Sequence, residues 1–365
     1  MKKNIFLVLL FILFSSFVFA EDIILQNGNL KMILHEYSGS VSLYGKSNKN
    51  GKFISLIDNS NYSVNSGFYL DIDGITRKLE RTYDINVVTN SSDYGLSVIF
   101  EIKNQAEVEI IFSTFASSTS SSADSVKVVA SVKNLSDEIH EYSLKAVFDT
   151  LLGEATNNHF FTATINPVKA VTTIDSMANH KYVASSNGYD TVAFLLAGQT
   201  ISSPEKVFLA SRDNLLKTQW IENTKDGSVF DSINTYNNSA LGILWRTVEL
   251  APFSKSSFAF YIVTSTNKKA FPLEKSFPST ILELNNPEDV NTSTYVDSYG
   301  VTYTVGTYSD AQLDPEYIAN LLNRVHSLEI ESDGSNRDEI KKLNAELEAI
   351  LKKIKRLNPE ENGTN

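Results

Sequence analysis

The chain has 365 residues, 32 basic and 43 acidic side chains, and a formal net charge of −11 at pH 7. This acidic balance argues against nucleic-acid binding, because no basic stripe is present to displace counterions from phosphates. The absence of cysteine excludes disulfides, a thiolate nucleophile and cysteine-ligated zinc or iron–sulfur sites. With 42% hydrophobic residues, the chain can still build a sizeable core.

The first twenty residues have the pattern of a cleavable export signal. A basic start at Lys2 and Lys3 precedes an apolar run, and Val18 and Ala20 occupy the −3 and −1 positions of a cleavage site. The alternative is an uncleaved anchor, although the apolar stretch is at the lower length limit for crossing a bilayer. We therefore predict that residues 1–20 are a signal peptide, that the protein is exported to the periplasm, and that the mature chain has no membrane span.

Residues 21–265 show the alternation of apolar and polar side chains that is typical of antiparallel β-strands. Asp73 and Gly74 lie between two such runs and predict a tight hairpin turn. The runs 126–133 and 142–148 flank a polar turn and predict another hairpin with one buried face. Short strands at this spacing predict a mainly β fold, a large antiparallel β-sandwich that is either one body or two sub-sandwiches.

The C-terminal part changes to a helical period. Residues 266–311 are predicted to be a linker that can hold a β-hairpin, residues 312–358 a helical hairpin or coiled-coil segment, and residues 359–365 a disordered tail. Asp314 and Pro315 supply an N-cap and a first-turn proline. The second helix carries a heptad seam, which we predict as the interaction surface: Ile340, Leu343, Leu347, Ile350, Ile354 and Leu357.

Two coverings of this heptad seam remain open from the sequence. The helices can fold on each other or dock on the sandwich, or the seam can bind a second copy or a protein partner. A helix of this length is marginal alone in water, so some surface must shelter the seam.

The most catalytic-looking stretch runs from Asp149 to Glu154 and continues to His159. An Asp, a Glu and a His together can act as general acid and base, but an Asp at a strand end more often caps a turn. The remaining histidines lack ligand spacing, and no nucleophile elbow or glycine-rich phosphate loop is present: His35, His140, His180 and His326. We therefore predict no catalytic, metal or cofactor site.

Aromatic residues raise the possibility of a sugar ligand. Trp220 and Trp245 are accompanied by 16 tyrosines, and aromatic faces stack on pyranose rings. Packing in the core or at its boundary is the alternative for both tryptophans.

Several stretches of the chain resemble a group of poorly characterised exported proteins of spirochaetes. They are residues 30–44, residues 148–154 with His159 and Phe160, residues 238–240 leading to Trp245, and the tail stretches 317–325 and 343–351. The resemblance implies a periplasmic β-rich protein with a helical tail. Because the spirochaete periplasm also houses the flagella, it further implies an accessory role at the flagellum or the envelope.

The strand portion is also loosely similar to the galactose-mutarotase-like β-sandwich. Activity in that family needs histidines and a carboxylate that converge on one sheet face, and no spacing match places them on His35, His140 or His159. The activity is therefore not carried over. The sequence favours an exported, non-catalytic structural or interaction protein that assembles through its C-terminal helices; the alternative is a carbohydrate-binding or carbohydrate-active sandwich whose ligand is a glycan.

Overall fold

In the computed structural model of the protein, the described residues are 22–47, 51–57, 59, 65–154, 158–217, 225–230, 239–266, 269–278 and 281, with the backbone of two further strands at 292–296 and 302–306. This part of the chain is mainly β, and three antiparallel sheets contain all strands but that last pair. Among these residues no helix has the length and apolar character needed to cross a membrane.

The N-terminal sheet is a four-stranded meander in which each strand pairs with the next. Its strands are β1 (Ile23–Asn27), β2 (Leu30–His35), β3 (Ser40–Lys46) and β4 (Phe53–Ile57). Alternate side chains of β2 are fully buried, so one face of this sheet belongs to the core.

The eight-stranded sheet has the order β12-β14-β15-β19-β10-β9-β8-β7. Its strands are β7 (Ile85–Ser92), β8 (Gly95–Ile102), β9 (Ala106–Phe115), β10 (Ser125–Asn134), β12 (Phe161–Thr162), β14 (Tyr182–Ser186), β15 (Thr191–Leu195) and β19 (Lys255–Ser265).

The seven-stranded sheet has the order β13-β16-β17-β11-β5-β6, and β18 pairs with β11 beside this path. Its strands are β5 (Gly67–Ile72), β6 (Ile75–Lys78), β11 (His140–Asp149), β13 (Thr172–Ile174), β16 (Lys206–Ser211), β17 (Ser239–Leu244) and β18 (Val248–Leu250). The predicted tight hairpin at Asp73 and Gly74 is confirmed, because Ile72 pairs with Ile75 across it.

Four short elements complete the described chain. Helix α1 (Arg212–Leu215) follows β16 directly, and a 3₁₀ helix covers Glu274–Ser276. The strands β20 (Thr292–Val296) and β21 (Thr302–Gly306) pair as a hairpin inside the predicted linker. The predicted helical segment 312–358, the tail 359–365 and the signal peptide 1–20 lie outside the described residues.

The eight- and seven-stranded sheets face each other as a sandwich. Phe148 of β11 reaches across the interface, and its ring centroid lies 4.9 Å from that of Phe194 and 5.8 Å from that of Phe260. The N-terminal sheet contributes to the same contiguous core. At Gly39, which has a φ of +72°, a Cβ atom would come within 2.8 Å of the Phe100 ring, so glycine permits the close approach of this sheet.

The predicted hairpin between the runs 126–133 and 142–148 is wrong. Both runs are strands with the expected alternation, but β10 pairs with β9 and β19, whereas β11 pairs with β5, β17 and β18. The turn after Asn134 therefore carries the chain from one sheet of the sandwich to the other. A strand with one buried face shows the same alternation whether its neighbour in sequence lies beside it or opposite it.

Candidate functional site

Polar side chains gather at one end of the seven-stranded sheet, where β11 ends, β16 ends and β17 begins. The register pairs Asp149 with Ala240, and Ser211 with Ser239, so the ends of β11 and β16 lie beside the start of β17. We call the group formed here the end cluster: Asp149, Glu154, His159, Arg212 and Ser239.

The first half of the end cluster is an ion pair. The guanidinium Nη1 of Arg212 donates to Oδ2 of Asp149 at 3.0 Å. The Asp149 side chain is almost wholly buried, whereas about a quarter of the Arg212 side chain is exposed. The backbone N–H of Asp149 also donates to the Ser66 hydroxyl at 2.8 Å, which fixes the end of β11. The pair therefore presents one cationic edge to the outside over a fixed internal carboxylate.

Electrostatics keep Arg212 firmly charged. Burial by itself lowers the pKa of this guanidinium, but the hydrogen bond and the charge of Asp149 outweigh burial and raise it. The charges of Asp213 and Glu154 add to the same upward shift.

The second half of the end cluster joins a carboxylate to an imidazole through one serine. The backbone N–H of Ser239 donates to Glu154 Oε1 at 3.1 Å, and the Ser239 hydroxyl lies 2.8 Å from His159 Nδ1. All three residues are buried. The His159 ring packs at 4.6 Å from the ring of Phe230, which limits its rotation. Glu154 and His159 are thus held on the same residue by direct bonds.

A close backbone crossing brings Glu154 and His159 together. Gly153 lies against the His159 carbonyl, where an added Cβ atom would clash with backbone. The Gly153 N–H donates to the Ser185 hydroxyl of β14 at 2.8 Å, so this segment ties the seven-stranded sheet to the eight-stranded sheet. A side chain at position 153 would push the two halves of the segment apart.

The sequence singled out Asp149, Glu154 and His159 as the most catalytic-looking residues, and the structure brings all three into one cluster. Sequence reasoning missed Arg212 and Ser239. Only the pairing of β16 and β17 with β11 carries them to the end of that strand, and nothing local in the sequence encodes this pairing. A usable sign was the Ser-Arg-Asp stretch at 211–213, which follows a buried strand and places charge at its end.

Next to the end cluster, the outer face of β11 carries a buried lysine. Lys145 Nζ donates to the carbonyls of Leu215 and Lys217, both at 3.1 Å, and lies 4.3 Å above the Tyr69 ring. The Tyr69 hydroxyl donates to the intervening Leu216 carbonyl at 3.1 Å. Burial lowers the pKa of Lys145 to about 8. This pair fixes the turn after α1 and therefore the helix that holds Arg212.

Asp22, His35 and Ser42 lie in the order of a hydrolase triad, but they do not form a reaction centre. His35 Nδ1 lies 2.8 Å from Asp22 Oδ2, and His35 Nε2 lies 2.9 Å from the Ser42 hydroxyl. Ser42 is fully buried, and its hydroxyl also bonds both the N–H and the carbonyl of Asn59 at 3.0 Å. Asn59 takes up both hydrogen-bonding functions of the Ser42 hydroxyl, so this network is a structural tie between β2, β3 and Asn59.

Two of the other histidines have local hydrogen-bond partners. His140 Nδ1 lies 2.5 Å from Asp73 Oδ2, and His180 Nδ1 lies 2.6 Å from the Thr164 hydroxyl. His326 lies outside the described residues. Asp71 accepts hydrogen bonds from the Gly74 N–H and the Thr76 hydroxyl. Across the described ranges, no three His, Asp or Glu side chains come together as metal ligands do.

The two tryptophans considered for sugar stacking have different outcomes. Trp245 is buried, with its ring centroid 5.7 Å from that of Phe258 and 5.6 Å from that of Phe260, and its indole N–H donates to the Ser202 carbonyl. It therefore packs in the core. Trp220 lies outside the described residues. So does the predicted interaction seam, which stays a prediction: Ile340, Leu343, Leu347, Ile350, Ile354 and Leu357.

No protein-family model and no curated protein matches the chain. Among solved structures, a galactose mutarotase related enzyme from Lactobacillus acidophilus aligns with 69% of this chain and 100% of its own, at 10% identity and a TM-score of 0.43. A galactose mutarotase-like protein from Lactobacillus casei aligns with 67% of this chain and 100% of its own, at 9% identity and a TM-score of 0.42. A 4-alpha-glucanotransferase from Thermococcus litoralis aligns with 68% of this chain and 38% of its own, at 9% identity and a TM-score of 0.38.

These neighbours support the looser resemblance to galactose-mutarotase-like sandwiches stated from the sequence. The expectation of a non-catalytic structural or interaction protein is contradicted by these neighbours, which are a galactose mutarotase related enzyme, a galactose mutarotase-like protein and a 4-alpha-glucanotransferase. That expectation rested on the scarcity of catalytic motifs in the sequence. At TM-scores below 0.5, the likeness identifies neither a sugar nor a reaction for this chain.

Proposed function

We propose that the protein is an exported carbohydrate-active β-sandwich protein that binds an aldose at the end cluster. The observation that carries the proposal is the Asp149–Arg212 pair, which holds a partly exposed guanidinium within the electrostatic reach of Glu154. Export follows from the predicted signal peptide at residues 1–20, and we propose the periplasm as its location.

The chemistry of the end cluster suits a sugar. Each sugar hydroxyl both donates and accepts a hydrogen bond, and charged groups make the stronger bonds with it. Arg212 supplies donors at the surface, and the buried Glu154, whose charge acts on Arg212, supplies an acceptor. The fixed Asp149 carboxylate holds the guanidinium in one orientation, which lowers the entropic cost of binding.

The same residues can move a proton. Interconversion of aldose anomers requires a base at the anomeric hydroxyl and an acid at the ring oxygen, and His159 and Glu154 are the candidate pair. The Ser239 contacts hold the imidazole and the carboxylate in register. We propose anomer interconversion as the reaction, with Arg212 as the residue that positions the sugar.

Calorimetry of the purified protein with a panel of neutral aldoses tests the binding, and polarimetry of freshly dissolved sugar tests the reaction. We expect Arg212→Gln to weaken binding by about tenfold, which corresponds to about 1.4 kcal/mol. Glu154→Gln should lower the rate more than it changes the affinity. Arg246→Gln is the matched control, because Arg246 is an exposed arginine at the other end of β17.

Since Asp149 is left without its arginine in Arg212→Gln, Arg212→Lys is made in parallel, and circular dichroism checks folding of both variants. No aldose binding by the wild-type protein, or equal binding by Arg212→Gln and Arg246→Gln, would refute the proposal. Binding without anomer interconversion would leave a sugar-binding protein and remove the catalytic part.

A further inference from the structure

A groove beside β14 and β15 of the eight-stranded sheet shares no residue with the end cluster. It has a volume of about 350 Å³, within the range of small-molecule sites. One wall comes from the start of β14, a second from the residues after β15, and a third from the 3₁₀ helix. The lining residues are Ala178, Lys181, Tyr182, Leu195, Ala197, Gly198, Leu273, Glu274 and Lys275.

The floor of this groove is apolar and rigid. Leu195 is buried, and it pairs with Tyr182 across the β14–β15 ladder. The Tyr182 ring is braced edge-on by Phe271 at 4.9 Å and by Phe161 at 6.3 Å. Leu273 is partly exposed on the 3₁₀ side. A flat apolar body can therefore rest here on a preformed surface.

Two cations from different walls line the same groove. Lys181 and Lys275 are both exposed, and within the described part of the chain their ammonium groups make no hydrogen bond or ion pair. The Tyr182 hydroxyl has no hydrogen-bond partner there either. Two cationic side chains and one phenol thus line the same groove.

Glu274 also lines the groove, and within the described part of the chain it forms no ion pair with Lys181 or Lys275. Glu274 Oε1 accepts from the N–H and the hydroxyl of Thr200 at 2.8 and 2.6 Å, and Oε2 accepts from the Gln199 N–H at 3.0 Å. Three hydrogen bonds hold this carboxylate against the loop after β15 and anchor the 3₁₀ helix. Its negative charge against the two lysines leaves these three groove residues with a net charge of +1.

We infer that this groove binds a monosaccharide that carries one anionic group, a carboxylate or a phosphate. The anion lies between Lys181 and Lys275 because charge-assisted bonds to both are available, and the Tyr182 hydroxyl adds a third donor. The apolar face of the pyranose ring rests on Leu273, the exposed apolar residue of the groove. The inference goes beyond the neutral aldose proposed for the end cluster and concerns a different site.

Calorimetry in low salt with the purified protein tests this site. The probes are glucuronate and glucose 6-phosphate, with glucose and inorganic phosphate as the neutral and sugar-free comparisons. The double variant Lys181→Asn and Lys275→Gln removes both cations, and asparagine suits the φ of +59° at position 181. We expect it to weaken binding of the anionic sugar by at least about tenfold.

The matched control is Lys46→Gln with Lys103→Gln, which removes the same charge from two exposed lysines outside the groove. It should leave the affinity for the anionic sugar within about twofold. Glucuronate and glucose 6-phosphate distinguish a carboxylate ligand from a phosphate ligand.

Three results would overturn the inference: no binding of either anionic sugar, equal affinity in the double variant and its control, or inorganic phosphate binding as tightly as glucose 6-phosphate. The two sites are distinguishable in the same experiments. In the Arg212→Gln background, the lysine double variant should still weaken binding of the anionic sugar by about tenfold, and the lysine double variant alone should leave binding of neutral aldose at the end cluster unchanged.

Discussion

On the outer face of each large sheet, a buried lysine contacts a tyrosine ring and a covering segment of the chain. On the seven-stranded sheet, Lys145 lies over Tyr69 at 4.3 Å and donates to two backbone carbonyls of the segment after α1. On the eight-stranded sheet, Lys127 lies 5.9 Å from the Tyr261 ring centroid and donates to the Ile281 carbonyl at 3.1 Å. In both cases a buried ammonium fastens a covering segment to a sheet.

The two lysines differ in how completely their side chains are buried. Burial lowers the pKa of both, and the pKa of Lys145 falls to about 8. A buried ammonium is tolerated only where carbonyls replace the water that it has lost. The comparison teaches that the covering of the seven-stranded sheet, which also holds Arg212, depends more strongly on one charged side chain.

The largest expected effect comes from removing each lysine in turn. We expect Lys145→Met to lower the free energy of unfolding by about 3 kcal/mol, because it leaves the Leu215 and Lys217 carbonyls without their buried donor. Lys127→Met should cost about 1 kcal/mol. Urea unfolding with unchanged slope measures both. Equal losses, or a larger loss in Lys127→Met, would break the comparison.

The second largest expected effect is a pH dependence of the free energy of unfolding that arises from Lys145 on the seven-stranded sheet. The folded pKa of Lys145 is about 8, against an ordinary value of 10.5, so above pH 8 the unfolded state holds more protons than the folded state. The free energy of unfolding should therefore rise with pH. The difference in this free energy between the wild-type protein and Lys145→Met should grow by up to about 2 kcal/mol between pH 8 and 9.5.

That window ends below pH 10 because buried tyrosines act in the opposite sense above it. Burial, followed by the charge of Glu80, raises the pKa of Tyr69, and burial likewise raises that of Tyr142. Unfolding curves at half-unit pH steps measure the effect. Parallel curves for the wild-type protein and Lys145→Met would contradict the assignment of the titration to Lys145.

Two glycine substitutions test the covering segments without touching the lysines. Gly198→Ala places a methyl group against the Glu274 carboxylate, which should leave the loop after β15, and we expect a loss of about 2 kcal/mol. Gly242→Ala meets Leu215 at 3.1 Å, and a small shift of that side chain should limit the loss to about 0.5 kcal/mol. Thermal unfolding measures both variants. A larger loss in Gly242→Ala would indicate that α1 is the more rigid cover.

The smallest effect is expected at an exposed pair on the same seven-stranded sheet. Partial burial tends to raise the pKa of Asp73, but the hydrogen bond from the Glu141 N–H, the bond to His140 and its charge lower it overall. Asp73 therefore stabilises the fold above its ordinary pKa, and this contribution is lost as the pH falls through its lower folded value.

Asp73→Asn preserves the left-handed backbone and should cost about 0.5 kcal/mol at pH 6, with no difference from the wild-type protein at pH 2. Asp137→Asn, an exposed Asp in the turn before β11, is the control. A difference that persists at pH 2 would assign the loss to the turn itself.

The sequence predicted the strands well because alternation is local. It predicted the β5–β6 hairpin from Asp73 and Gly74, since two residues with positive φ define a tight turn. It also picked out Asp149, Glu154 and His159. It failed at the turn after Asn134, where the chain changes sheets, and it missed Arg212 and Ser239, which lie at least 50 residues beyond His159.

By itself, the sequence determined the β character of the body and the identity of the carboxylates at the end of β11. The tertiary structure alone decided which strands became neighbours, and so which charges met in the end cluster and which lysines were left facing the groove. The physical reason is range. Turn geometry and hydrophobic period depend on a few adjacent residues, whereas strand pairing is settled by packing between side chains far apart in the chain.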